Sequence, residues 1–149
     1  MPGSTTHILG GLITGAGLWW ALRTSGIYDP PAAVLAGLTG CVVLGALFPD
    51  VDTDSRARRL FYGALFVTDA VLLCTDHVRW AALLGLVAML PALGSHRGWT
   101  HRLWAAAIVP GVILGLAAWL FVWPLGQLGP YYGAAVVGYV SHLVLDRLL

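Results

Sequence analysis

Imidazole and carboxylate side chains gather at a few points of this chain, and they are the groups from which a transition-metal centre is built. The chain has five His and seven Asp but no Glu and no Lys. His7, Asp50 and Asp52 of PDVDTD, His96 and His101 of SHRGWTH, and His142 and Asp146 of GYVSHLVLD lie at the ends of long apolar runs. Neutral imidazole and ionised carboxylate suit zinc, manganese and iron alike. These seven residues are therefore read as ligands of a divalent metal, zinc in the first instance and manganese or iron otherwise. Taken singly, a His at a membrane boundary is an ordinary interfacial residue, and an Asp after a proline ends a turn. The set is harder to set aside, because a carboxylate in a spanning segment costs about 2.5–3.5 kcal/mol on insertion scales.

Spacing within each cluster limits the geometry it can adopt. His142 and Asp146 are four residues apart, so a helix places them on one face, one turn from each other. Asp50 and Asp52 flank Val51 just after Pro49, and in an extended segment their carboxylates point the same way. His96 and His101 would lie about 140° apart on a continuous helix. Gly94 and Gly98 favour instead a turn into the following helix, with Thr100 as its N-cap.

The elements that carry these groups are apolar. Of 149 residues, 58% are hydrophobic and only 10% charged, with a mean hydropathy of +0.81. Soluble domains carry about 25% charged residues, so the expected fold class is an all-α, polytopic membrane helix bundle. A net charge of +1 provides no basic surface for nucleic acid. Nothing resembles a Gly-rich phosphate loop. Cys41 and Cys74 lie inside apolar stretches without CxxC spacing and are read as small hydrophobes. The first apolar run has no basic residue before it and no small-residue cleavage site, so it is expected to be retained.

Apolar runs at 8 to 22, 32 to 48, 60 to 74, 80 to 93, 104 to 123 and 131 to 145 predict about six transmembrane segments in one domain, residues 1–149. Several runs are shorter than the roughly 20 residues that cross a bilayer upright. Gly11 with Gly15, and Gly111 with Gly115, have the GxxxG spacing that lets helices approach closely. Six spans put all seven ligands on one membrane face, whereas an odd count between any two clusters would separate them. Arg56, Arg58, Arg59, Arg97, Arg102 and Arg147 fall on that face, against Arg23 and Arg79 on the other. The positive-inside rule makes it the cytoplasmic face. His77 and Asp76 fall on the opposite side and are read as loop residues. Asp69, well inside the third run, is read as a polar contact to a neighbouring helix.

Thr6–His7, LFPDVD, SHRGWTH and GYVSHLVLD, in that order, resemble the signature blocks of the YdjM-like family of LexA-regulated, inner-membrane metal-dependent hydrolases. The resemblance runs from His7 to Asp146. It implies a multi-span inner-membrane protein with a hydrolase-type metal site, distantly similar to zinc-dependent phospholipase C, and the same seven residues as ligands. The chemistry expected is hydrolysis of a phosphoester in a lipid or lipid-linked substrate, through water activated by one or two ions. With two ions, Asp50 or Asp52 is the natural bridge. Asp52, Asp54 and Arg97 are the candidate catalytic residues: Asp54 as general base or partner to a ligand His, Arg97 as a bidentate phosphate clamp. Solvated loop Asp and topology-setting Arg are their ordinary alternatives. Membrane lipids are the expected partners.

Two other classes of function use the same ligands. A metal transporter or sensor would place polar groups along a path through the bilayer and on both sides. A membrane scaffold with a structural metal would want a closed site without an open coordination position.

Overall fold

Where Pro, Gly and Asp interrupt the apolar runs, the chain turns, and each run becomes a helix. The computed structural model describes residues 4–52, 56–89 and 99–148, the side chains of Ser4, Asp52, Arg56, Ala57 and Leu60 lying outside that description. Six α-helices follow in order: α1 Ser4–Thr24, α2 Ala32–Leu47, α3 Arg56–Cys74, α4 Val78–Met89, α5 Leu103–Phe121 and α6 Leu125–Leu148. A 3-10 turn, Phe48–Asp52, continues α2. Among the described residues there is no strand, so the all-α expectation holds.

The helices reach past the apolar runs. α1 begins at Ser4, which puts His7 in its first turn rather than ahead of it. α6 starts at Leu125, directly after Pro124, and Pro130 forgoes a backbone hydrogen bond without ending the helix. α5 ends where Val122 adopts a left-handed conformation, φ 55°, and Trp123 N–H returns to the Ala118 carbonyl.

Ala32–Val51 and Leu103–Phe121 are long and apolar enough to cross a membrane. The other four helices do not meet that test, and the count of six spans stays an expectation. The described part of α4, 12 residues, rises about 18 Å. The surface nonetheless displays many large apolar side chains, as a soluble protein's rarely does. Ile13, Phe66 and Trp119 are more than 70% exposed, while His7 and His142 are 1% and 0% exposed.

α2 and α6 share the most extensive contact; α1 lies against both, α5 against α6, and α3 pairs with α4. The α2–α6 approach is backbone to backbone. A methyl group added at Gly138 would collide with the Val42 carbonyl, and one at Gly45 with the Ala135 carbonyl. Gly11 and Gly15 bring α1 onto Ala46 and Val42 of α2 in the same way. The second GxxxG pair differs, for Gly115 has nothing within 4 Å of where a methyl would lie and faces outward. One core cluster, Phe48, Val51, Phe61, Ala105, Ala106, Val109, Tyr139 and Leu143, fills the space between the 3-10 turn and helices α3, α5 and α6.

Candidate metal centre

Four separate pieces of chain bring their polar groups to one end of the bundle. His7 comes from the first turn of α1, Asp50 from the 3-10 turn after α2, His101 from the residues leading into α5, and His142 and Asp146 from the last turns of α6. All three Nε2 atoms face both carboxylates. Asp146 lies 3.4 Å from His7, 3.3 Å from His101 and 3.2 Å from His142. Asp50 lies 4.0, 3.9 and 3.6 Å from the same three atoms. The His7 and His142 rings stack with centroids 3.8 Å apart, and His101 stands edge-on to His142 at 5.6 Å.

The distances fit coordination by one ion. Two donors bound at about 2.05 Å to a tetrahedral ion are about 3.3 Å apart, which is the spacing of Asp146 from each imidazole. Asp50 is about 0.3–0.7 Å beyond that spacing. Two triads have their donor atoms within 4.8 Å of one another: His7, Asp50 and His142, and His101, His142 and Asp146. Both require His142, whose Nε2 has a single lone pair. The described side chains could therefore hold one ion, and a second would need donors from elsewhere.

The protonation of His142 can be read from its partner. Its Nδ1 lies 2.7 Å from the Ala46 carbonyl, which only accepts, so Nδ1 carries the hydrogen and donates it. In the neutral ring Nε2 is then a bare lone pair, fully buried, without a hydrogen-bond partner, and facing two carboxylates. Acceptors facing acceptors are relieved by a cation between them or by a proton on one of them. A His whose second nitrogen donates to a carbonyl is the usual arrangement of a metal ligand. The sequence places the carbonyl for this role. Pro49 has no N–H to offer the carbonyl three residues back, and that carbonyl belongs to Ala46.

A second group of contacts fixes His101. Thr100 is fully buried, its hydroxyl lies 3.2 Å from His101 Nδ1, and its carbonyl accepts a hydrogen bond from the Tyr139 hydroxyl. Thr100 is thus not the N-cap of α5, as the spacing had suggested. Arg102 occupies that position and makes no side-chain cap, while the threonine faces inward to the histidine. Tyr139 and Thr100 were not foreseen as parts of the site. The signal available was that Tyr139 precedes His142 by three residues, on the same helical face.

A family model described as YdjM inner membrane protein matches residues 1–149. The chain belongs to this family. No curated protein and no solved structure matches it. Family membership makes the chain a membrane protein, in keeping with its two long apolar helices.

Of the seven ligands expected, five converge: His7, Asp50, His101, His142 and Asp146. Asp52 closes the 3-10 turn next to them, its side chain outside the described set. His96, Arg97 and Asp54 lie outside the described residues. At the far end of the bundle, His77 Nδ1 contacts the Thr75 carbonyl at 2.7 Å, and Asp76 sits in the α3–α4 turn with φ 58°. Asp69 departs from the expected polar contact: its Oδ1 is buried beside Leu84, Gly85 and Ala88 of α4 without a hydrogen-bond partner among the described residues.

Proposed function

We propose that this protein is a multi-pass, membrane-embedded metal-dependent hydrolase acting on the phosphoester of a lipid or lipid-linked substrate at the cytoplasmic face of the inner membrane. The observation that carries this reading is the convergence of three imidazole Nε2 atoms and two carboxylates at one end of an otherwise apolar bundle. His7, His101, His142 and Asp146 hold the ion, which the donor set suits as zinc, with manganese or iron also compatible. When bound, the ion supplies Lewis acidity, lowering the pKa of a water and polarising a phosphoryl oxygen. Asp50, the more distant carboxylate, accepts the proton that such a water releases, or closes the coordination shell. His142 is held in its ligating tautomer by Ala46, and Thr100 and Tyr139 orient His101.

The arrangement favours hydrolysis over transport. Ligands for an ion in transit would continue through the bundle, yet the described lining of the cavity beneath the centre is mostly hydrocarbon and without charge, its polar side chains being Cys41, Thr68, Trp80 and Tyr139. Metal content and phosphatase or phosphodiesterase activity on phospholipids, measured for purified wild type, Asp50→Ala and His101→Ala, test the proposal. Metal is expected to fall in His101→Ala, and activity in both variants. Equal metal in all three would sink the metal centre. Metal lost with no phospholipid turned over by the wild type would sink the hydrolase reading and leave transport or a structural role.

A further inference from the structure

Beneath the centre lies an apolar cavity of about 340 Å³ with walls from α2, α3, α4, α5 and α6. This is within the range of small-molecule sites, roughly 300–1,000 Å³. One end is formed by Phe48, two residues before Asp50, and by Tyr139, one turn before His142. The other reaches Leu72 and Trp80, where Trp80 stacks on Phe121 with centroids 3.5 Å apart. From Phe61 to Leu72, both in its wall, α3 rises about 16 Å. The cavity is therefore long, and it ends against the residues that hold the metal ligands.

Its chemistry narrows the occupant. The lining offers the hydroxyl of Thr68, while that of Tyr139 is already bonded to the Thr100 carbonyl. Among the described residues no charged side chain lines it, and the Cys41 thiol and Trp80 indole are its other polar groups, so an ion or a sugar finds few partners there, whereas each buried methylene of a hydrocarbon gains about 0.8 kcal/mol over water. Leu44 and Thr68 are wall residues that are also exposed, and α3 exposes Phe66, Val67 and Val71 alongside. The cavity thus opens sideways onto an apolar surface. At the metal end the charge is positive: Arg59 in the first turn of α3, Arg102 beside His101 and Arg147 beside Asp146 are all exposed. An anionic head over a hydrocarbon tail satisfies both ends.

We infer that this cavity seats the acyl chain of a phosphate-bearing lipid, with the phosphate at the metal and arginine end. The inference rests on the proposed lipid phosphoesterase reading for its head-group half, while the tail half stands on the cavity alone. It is tested with a phosphatidic acid carrying a photoreactive diazirine midway along one acyl chain, bound to the full-length protein in detergent. Adducts are then mapped by mass spectrometry. Wild type is expected to be labelled on wall residues such as Leu84 and Ile113. Leu84→Trp and Leu114→Trp fill the cavity and should lower wall labelling several-fold, while Val112→Trp, on the exposed face of α5, leaves it unchanged.

Metal content measured on the three tryptophan variants shows that their bundle is intact. His142→Ala loses metal but keeps the labelling, so failure of the metal reading and failure of the acyl-chain reading are seen separately. Labelling confined to outward side chains such as Phe66 and Trp119, or undiminished in both filled variants, would overturn the inference.

Discussion

Gly138→Ala offers a test of the centre that touches no ligand. In the structure a methyl at this position would collide with the Val42 carbonyl oxygen and lie 2.8 Å from its carbon. Ordinary carbon–carbon contact begins near 3.5 Å, so α2 and α6 must part by at least about 0.7 Å, and by more to clear the oxygen. His142 is four residues further along the same face of α6, and its Nδ1 is 2.7 Å from Ala46 on α2. Adding 0.7 Å takes that distance to about 3.4 Å, beyond the 2.7–3.2 Å of a hydrogen bond. Overpacking of this kind costs about 1–3 kcal/mol, and losing the partner of a ligating His weakens metal binding roughly 10- to 100-fold. Competition against a chromophoric chelator reads the affinity, and thermal unfolding in detergent reads the stability. Gly115→Ala is the matched control, because its methyl meets nothing within 4 Å. It should keep metal affinity and be as stable as wild type or slightly more so, as a helical Gly→Ala change usually is. Wild-type affinity in Gly138→Ala would refute the claim that the α2–α6 approach sets the ligand geometry.

Other expectations follow from the same distances. Asp146→Asn should lose more metal than Asp50→Asn, because Asp146 lies 3.2–3.4 Å from the three imidazoles and Asp50 3.6–4.0 Å; metal analysis giving the reverse order would reassign the two carboxylates. Tyr139→Phe removes the hydrogen bond to the Thr100 carbonyl and should destabilise the protein by about 0.5–1.5 kcal/mol, with a smaller loss of metal; an unchanged melting temperature would count against Tyr139 as a support of His101. In a cysteine-free background, Ser25→Cys and Arg102→Cys should react with an impermeant maleimide from opposite sides of the membrane, and reaction from the same side would break the six-span topology.

The all-helical class and the meeting of five candidate ligands were legible in the sequence because both depend on residue type and period. An apolar chain with most of its ligand-type residues at run ends can bury those groups together only if the runs alternate in direction. His7, Asp50, His101, His142 and Asp146 do meet at one end. What could not be read was carried by backbone. The hydrogen on His142 is placed by the carbonyl of Ala46, a residue with no chemical signature, and the approach that brings it near depends on Gly45 and Gly138 facing each other's helices. Thr100 was misread for a similar reason. A Thr ahead of a helix suits an N-cap, but here its inward direction is set by tertiary contacts to His101 and Tyr139. Helix limits moved as well, since hydropathy marks the apolar run while backbone hydrogen bonding continues past it, as at Ser4 and Leu125.

Why such a cluster should want a metal rather than protons follows from its charges. Two ionised carboxylates facing three imidazoles are stabilised by positive charges between them. Protonating two imidazoles would supply them, and the same Nε2 atoms would then donate to Asp50 and Asp146. His7 and His142, however, are stacked at 3.8 Å. Two unit charges at that distance repel by about 4 kcal/mol at an effective dielectric of 20. Protonating His101 in place of one of them relieves the stack but leaves the remaining imidazole's lone pair facing carboxylate oxygen. A single divalent cation meets every lone pair at once and puts no like charges in contact. The ring stack, which contributes nothing as a salt bridge, is the feature that favours the proposed metal over a cluster held by protons.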